Sequence, residues 1–263
     1  MAYTVTKYPQ GTFSWTDFFS TDVAKTKSFL ENLFGWTSQD MPTEPGKPDY
    51  TMFYLDGKVV AGGSPAFDPN MPSLWNNYVT VDSVDEMTAK AEKLGAKITM
   101  PAMDVLDAGR MSTIQDPTGA HLSLWQPKKH IGAQIVNTVG AMSWNELYTK
   151  DLEKAKQFYT GLFGWTYVID KENQDYTVIK NNGRSNGGMF PITPEMGSMP
   201  PNWMVYFTVK NIEESVAKVK ELGGKVYLEP KDIKIGKIAP ATDPTGAAFM
   251  IIEMSVTPDP WTE

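Results

Sequence analysis

The spacing of hydrophobic residues predicts a strand followed by a helix near the start of the chain. Residues 12–19 form an apolar-rich run typical of a strand. The next apolar residues recur at helical spacing: Val23, Phe29, Leu30 and Leu33. Thr21 or Asp22 can cap the start of this helix, and Gly35 can end it because glycine tolerates a positive φ.

Further strands and a second helix are predicted up to residue 126. Strand-like runs lie near Thr37 and at residues 50–55, 58–63, 77–81, 111–115 and 121–126. The second helix begins at Ser83, which forms a capping box with Glu86, and it ends at Gly95. Residues 64–73 form a Pro- and Met-containing loop, for which we leave open a lid over a cleft or an ordinary surface connection.

The second half of the chain repeats the first at offsets of 125 to 129 residues. The clearest pairs are Ser14-Trp15 with Ser143-Trp144, residues 33–36 with 162–165, and residues 116–120 with 243–247. A third helix is therefore expected from Asp151 to Gly164, and a fourth begins at Asn211. The repeat predicts an α+β fold with two tandem domains, 8–127 and 137–256, each built from two strand–helix–three-strand modules.

Composition excludes several classes of partner. The 263 residues carry 24 basic and 31 acidic side chains, a net charge of −7, which disfavours a nucleic-acid partner. The chain has no cysteine, which excludes disulfides and cysteine-based zinc sites. No run of 18 apolar residues and no signal peptide is found, so we expect a cytoplasmic protein without a membrane partner. The acidic tail 257–263 is expected to be solvated.

The repeated residues resemble those of the vicinal oxygen chelate superfamily, also called the glyoxalase/bleomycin resistance/dioxygenase superfamily. They are the strand before Asp22, residues 33–36, the 81–85 junction and the Asp-Pro-Thr-Gly turn at 116–119. The resemblance spans residues 11–254 and is closest to two-domain glyoxalase-like proteins of actinobacteria. It implies four βαβββ modules whose sheets form cleft-bearing half-barrels. Isomerases, dioxygenases, thiol transferases and drug-binding proteins share this fold, so the fold does not define the activity.

The resemblance also implies where a metal would bind, because metal-dependent members place a His or carboxylate at three positions per cleft. Those positions hold Trp15, Asn76 and Ser123 in the first domain and Trp144, Met204 and Met250 in the second. None is a usual ligand for Zn, Ni, Fe or Mn. Of the two histidines, His121 can face the cleft and His130 is expected to be solvent-exposed in the linker. We therefore predict no metal site and no cofactor.

Each first strand instead places an indole and a carboxylate on the same face. Strand alternation pairs Trp15 with Asp17 and Trp144 with Glu146, on the face that lines the cleft in the family resembled. Such a pair suits a flat or cationic ligand, and a buried carboxylate can act as a general base. The alternative is that the indoles fill space and the acids bond to nearby backbone or to Arg110.

Two functions follow as hypotheses. In the first, the clefts bind a small aromatic or amphipathic molecule through Trp15, Asn76, Arg110, His121, Ser123, Trp144, Met204 and Met250. In the second, the protein is a metal-independent glyoxalase-like lyase or isomerase, with Asp17 or Glu146 as the general base. The duplication can complete both clefts within one chain, so we expect a monomer or a weak homo-oligomer.

Overall fold

The structure is a computed structural model, and it describes residues 3–43, 45–171 and 176–256. The tail 257–263, expected above to be solvated, lies outside the described residues.

The first half of the chain contains both predicted helices and the predicted strands. Its elements are β1 (Tyr3–Thr4), β2 (Phe13–Ser20), α1 (Val23–Phe34), β3 (Thr37–Met41), β4 (Tyr50–Leu55), β5 (Lys58–Pro65), β6 (Leu74–Thr80), α2 (Val84–Lys93), β7 (Lys97–Val105), β8 (Gly109–Gln115) and β9 (His121–Pro127).

The second half repeats this order. Its elements are β10 (Ile135–Val136), β11 (Met142–Thr149), α3 (Leu152–Phe163), β12 (Thr166–Asp170), β13 (Tyr176–Asn181), β14 (Arg184–Pro191), a 3₁₀ turn (Pro194–Met196), β15 (Asn202–Thr208), α4 (Ile212–Glu221), β16 (Lys225–Val226), β17 (Lys231–Ile233), β18 (Gly236–Thr242) and β19 (Ala248–Met254).

Each domain forms one open, mixed sheet in which the first strands of its two modules are neighbours. The first sheet has the order β3-β4-β5-β2-β6-β9-β8-β7, and the second has β12-β13-β14-β11-β15-β19-β18-β16 with β17 paired to β18. Strand β2 runs parallel to β5 and antiparallel to β6. The α+β class and the tandem βαβββ modules are confirmed.

The predicted helix caps are present. Asp22 and Asp151 accept a hydrogen bond from the backbone N–H three residues on, and Ser83 and Asn211 do the same for α2 and α4. Gly35 ends α1 with φ 72°, in the left-handed region. Helix α2 ends at Lys93, two residues before the predicted Gly95.

Strand β7 is the longest strand that the sequence pattern did not locate. It occupies the edge of the first sheet, is mostly exposed, contains Pro101 and carries register shifts against β8. Its residues alternate between exposed and partly buried, but proline is disfavoured inside strands, so Pro101 argues against a strand when the sequence is read alone.

The helices pack between the sheets of the two domains. The two larger hydrophobic cores therefore contain residues of both domains. Phe34 on α1 packs against Phe207 of the second domain, with ring centroids 5.1 Å apart. Phe13 of the first domain packs against Trp165, which follows α3, at 5.6 Å. Because each helix buries its apolar face against both sheets, neither domain has a complete core without the other.

Equivalent hydrogen bonds tie each domain to the start of the other. The indole N–H of Trp36 donates to the carbonyl of Gly140 at 2.7 Å, and that of Trp165 donates to the carbonyl of Gly11 at 2.8 Å. The repeated Phe-Gly-Trp sequence therefore ends a helix and anchors the other domain.

The Asp-Pro-Thr-Gly turns also link the domains. Asp116 Oδ1 accepts from the backbone N–H groups of residues 118–120, and Oδ2 accepts from the Tyr159 hydroxyl on α3 at 2.7 Å. Asp243 holds the equivalent turn and accepts from Thr26 on α1 at 2.5 Å. Trp203 donates to the Tyr159 hydroxyl at 2.8 Å.

Candidate functional site

The first cleft is built around Asp17, a carboxylate in the middle of β2 whose residue is 3% exposed. The hydroxyls of Tyr78 and Tyr50 donate to its Oδ2 at 2.9 and 3.0 Å. Asn76 donates to Oδ1 at 3.3 Å, and the indole of Trp15 donates to the Tyr50 hydroxyl at 3.2 Å. The carboxylate is thus satisfied entirely by neutral donors.

Burial raises the pKa of Asp17 to about 7, because desolvation penalises the charged form. The hydrogen bonds from Tyr78, Tyr50 and Asn76 lower this pKa, but by less than burial raises it. None of the groups that shift this pKa is a lysine or an arginine, so the carboxyl has no cationic partner in the described part of the chain to favour its ionised form.

The second cleft repeats this arrangement around Glu146 on β11, which is 6% exposed. Tyr176 donates to Oε2 at 2.5 Å and Tyr206 donates to Oε1 at 2.8 Å. Trp144 donates to the Tyr176 hydroxyl at 2.9 Å. Burial again raises the pKa of the carboxyl.

The tyrosines are the residues that our sequence reasoning missed as part of the site. Tyr50 and Tyr176 occupy equivalent positions in the repeat, as do Tyr78 and Tyr206, at offsets of 126 and 128. Comparing the halves for donors to a buried acid would have found them, because a buried carboxylate requires hydrogen-bond partners.

Glycines next to the two carboxylates leave room for the tyrosine hydroxyls to reach them. Gly62 on β5 pairs with Asp17, and Gly188 on β14 pairs with Glu146. A Cβ at Gly62 would lie 2.0 Å from the Tyr50 hydroxyl, so any side chain there would collide with the phenol. These glycines leave room for the hydroxyl to reach the acid.

Gly62→Ala is therefore expected to displace Tyr50 and to lower the free energy of unfolding by about 1–3 kcal/mol through overpacking. In the double variant Gly62→Ala/Tyr50→Ala the collision is absent, so the two changes should cost less together than the sum of the single changes. Urea denaturation of the four proteins measures this coupling, and strictly additive losses would contradict the steric argument.

Next to Asp17, the first domain has a cavity of about 490 Å³. Its apolar lining consists of Phe19, Phe67, Met71, Leu74 and Met100, and its polar lining of Asp68, Asn70, Asn76, Thr99, Thr113 and His121. Residues 67–71 belong to the loop considered above as a lid. Asn76 connects the cavity to the acid, because it lines the cavity and donates to Asp17.

The other candidate residues of the first domain contact either the cavity or the residues around Asp17. His121 lines it, and burial lowers the pKa of this imidazole. Ser123 is fully buried and donates to Asn76 Oδ1 at 3.1 Å, so it positions the amide. Trp15 is 3% exposed and supports Tyr50.

Arg110 lies away from the cleft and does not pair with Asp17. It forms a bidentate ion pair with Asp85 on α2, with nitrogen–oxygen distances of 2.9 and 2.8 Å. Ser112, two residues along β8, contacts Thr88 on the same helix. Strand alternation therefore turns Arg110 toward the helix, while Thr113 faces the cavity.

His130 was expected to be solvent-exposed, and this prediction is wrong. Its ring packs edge-on against Trp15 at 4.5 Å and against Trp125 at 5.8 Å. Burial lowers the pKa of His130 to about 4. The backbone N–H of His130 donates to the carbonyl of Ala108, which holds this part of the linker in place.

The second cleft is more apolar. Met250 and Tyr206 belong to a small hydrophobic cluster with Ile252, against which Trp144 and Met204 pack while partly exposed. The candidate residues of this domain are thus brought together on one face of the sheet.

No helix in the described part of the chain is long and apolar enough to cross a membrane. Within the same residues, no three His, Cys, Asp or Glu side chains form a group that could hold a metal ion.

Comparison with known proteins agrees with this architecture. The family model of the Glyoxalase/Bleomycin resistance protein/Dioxygenase superfamily matches residues 12–124 and 135–251. The chain is 40% identical over 253 residues to "Putative glyoxylase CFP32" of Mycobacterium tuberculosis, covering 94% of this chain and 96% of that protein. It is 31% identical over 264 residues to "Anthracycline biosynthesis protein DnrV" of Streptomyces peucetius, covering 95% and 96%.

Solved structures show the same fold at low sequence identity. The 2,3-dioxygenase LapB from Pseudomonas sp. KL28 superposes with a TM-score of 0.66 at 13% identity, covering 97% of this chain and 96% of that one. The Mn(II)-bound glyoxalase from Novosphingobium aromaticivorans gives 0.64 at 12% identity, covering 98% and 85%. The two matched repeats and the full-length relatives show that this chain belongs to the Glyoxalase/Bleomycin resistance protein/Dioxygenase superfamily.

Proposed function

We propose that the protein binds a small aromatic or amphipathic molecule in its clefts, without the metal ligands usual in its superfamily. The observation that carries this proposal is the cavity beside Asp17. Five apolar or aromatic side chains and six polar ones line it, and such a mixed lining suits a small amphipathic molecule.

The residues at the positions of the usual ligands do not fit a metal. Trp15 and Trp144 offer indoles, and Met204 and Met250 offer thioethers, which are poor ligands for the metals of this superfamily. In the first domain, Asn76 and Ser123 are hydrogen-bonded to each other, and Asn76 also to Asp17. We therefore derive no reaction step through a metal.

In the first cleft, the buried carboxylate favours binding over catalysis. Asp17 is 3% exposed and does not line the cavity, and all three of its donors come from the protein. A general base must come within hydrogen-bond reach of the proton that it removes, and here Asn76 stands between the acid and the cavity.

A metal-independent lyase or isomerase is the second candidate function. One observation favours it: the pKa of Asp17, raised to about 7 by burial, suits a general base near neutral pH. For this function Asn76 would have to move aside when substrate binds. Asp17→Asn separates the two candidates, because it should abolish turnover by an enzyme and leave ligand affinity nearly unchanged in a binding protein.

Filling the cavity is expected to prevent binding. Titration with the neutral fluorescent probe N-phenyl-1-naphthylamine measures the affinity, and Met100→Trp should weaken it by roughly tenfold or more, or about 1.4 kcal/mol. The matched control is Leu228→Trp, at the equivalent position of the second domain, where the side chain is 68% exposed. Equal affinities in both variants, or no saturable binding to the unmodified protein, would contradict the proposal.

A further inference from the structure

The two clefts differ at the residues that lie between the buried carboxylate and the space where a ligand would bind. Asn76, which covers Asp17, is replaced by Met204, and its partner Ser123 is replaced by Met250. In both domains this residue pairs directly with the acid across the sheet, Asn76 with Asp17 and Met204 with Glu146. Glu146 therefore has no amide over it, and a flexible thioether takes that place.

Three tyrosine hydroxyl groups surround Glu146. Tyr176 and Tyr206 donate to the carboxylate. The hydroxyl of Tyr148 lies 3.3 Å from that of Tyr206, and its hydrogen bond to Glu146 lowers the pKa of the acid. The half-buried Tyr148 therefore adds a hydroxyl group beside the acid, where the first cleft has Phe19.

Aromatic rings surround the same point. The Phe190 ring lies 6.1 Å from that of Tyr148 and 6.5 Å from that of Tyr176. The partly exposed Trp144 donates its indole N–H to the hydroxyl of Tyr176 at 2.9 Å. The faces of such rings carry negative electrostatic potential.

Among the described residues, no cationic side chain compensates the acid. The groups that shift the pKa of Glu146 are its burial and three tyrosines, and no lysine or arginine is among them. A buried carboxylate without a cationic partner is costly, and a positively charged ligand would remove that cost.

We propose that the second cleft binds an organic cation, a tertiary or quaternary ammonium group on an apolar skeleton, with Glu146 as its counter-charge and the rings of Trp144, Tyr148 and Phe190 around it. This inference rests on the proposed function and names the ligand class of the second cleft. Rings around an ammonium group attract it through cation–π interactions, and the methionine and isoleucine side chains nearby accommodate the apolar skeleton.

The test compares two probes of the same shape by isothermal titration calorimetry: benzyltrimethylammonium and its neutral carbon isostere neopentylbenzene. The ammonium probe is expected to bind roughly tenfold more tightly or better, from the charge and cation–π terms. Glu146→Gln keeps the size of the side chain and should remove this preference. Asp17→Asn is the matched control in the first cleft and should retain it.

A second variant covers the case in which Glu146→Gln does not fold. Phe190→Leu keeps an apolar side chain but removes a ring, so it should weaken the ammonium probe several-fold and leave the neutral isostere unchanged. Equal affinity for the two probes, or a preference that depends on Asp17 and not on Glu146, would overturn the inference.

The two probes also distinguish a failure of this inference from a failure of the proposed function on which it rests. Met100→Trp should block N-phenyl-1-naphthylamine in the first cleft and leave ammonium binding intact. If the neutral probe binds in the first cleft and the ammonium probe shows no preference, only the inference about the second cleft fails. If neither probe binds, both fail.

Discussion

Replacing Asp116 with alanine is expected to lower the free energy of unfolding of the whole chain by at least about 3 kcal/mol. The side chain holds its own turn through three backbone N–H groups and the Thr118 hydroxyl, and it accepts from Tyr159 of the other domain. Its removal leaves several buried donors without an acceptor. The loss should occur in one transition, because both domains share the cores.

Urea unfolding followed by tryptophan fluorescence and by far-ultraviolet circular dichroism measures this effect. Asp116→Asn is the control, since an amide oxygen can still hold the turn while its NH₂ group replaces the acceptor for Tyr159. It should therefore cost less than Asp116→Ala. A loss below about 1 kcal/mol for Asp116→Ala, or separate unfolding of the two domains, would show that the turn does not link them.

Asp17→Asn is expected to change how stability depends on pH. The pKa of Asp17 is about 7 in the folded protein and near 3.8 in the unfolded chain, so folding favours the protonated form. This group stabilises the fold fully below pH 3.8, and that contribution is lost as the pH rises to 7. Relative to wild type, the variant should therefore gain about 3 kcal/mol between pH 4 and pH 7.

The comparison with wild type is essential because the titration of His130 changes the stability in the opposite direction as the pH rises. Its pKa is lowered to about 4, so its contribution to stability increases as the pH rises from 4 to 6.5. The two effects oppose each other in the wild-type profile, and only the difference between variant and wild type isolates Asp17. A difference that stays constant from pH 4 to 8 would mean that Asp17 is ionised throughout this range.

The buried polar side chains at the boundary between the domains do not have equivalent hydrogen-bond partners in the two halves. A comparison of the repeats explains the difference. Tyr159 bridges Asp116 and Trp203, but its equivalent in the first half is Leu30. The indole N–H of Trp75, the equivalent of Trp203, is accordingly buried without a hydrogen-bond partner among the described residues. Thr26 takes over the bond to Asp243.

Local sequence signals predicted most of the fold. Asp22 and Ser83 mark helix starts and Gly35 a helix end because capping depends on a few neighbouring residues. The repeat then extended these assignments to the second half. Strand β7 was not located, since it contains Pro101 and proline is disfavoured inside strands.

The candidate site was only partly predictable. Strand alternation correctly placed Asp17 and Trp15 on one face of β2, and Glu146 and Trp144 on one face of β11, because side-chain direction along a strand is a local property. The donors to each acid could not be assigned in this way, since they come from strands that are distant in sequence.

By itself, then, the sequence determined the duplication, the helix ends and the pairing of an indole with an acid on each first strand. Only the tertiary structure decided that Tyr50 and Tyr78 enclose Asp17, that Arg110 faces α2 and that His130 is buried against Trp15. The physical reason is that caps and strand alternation depend on neighbouring residues. The solvation, partners and pKa of a buried carboxyl depend on side chains brought together by folding.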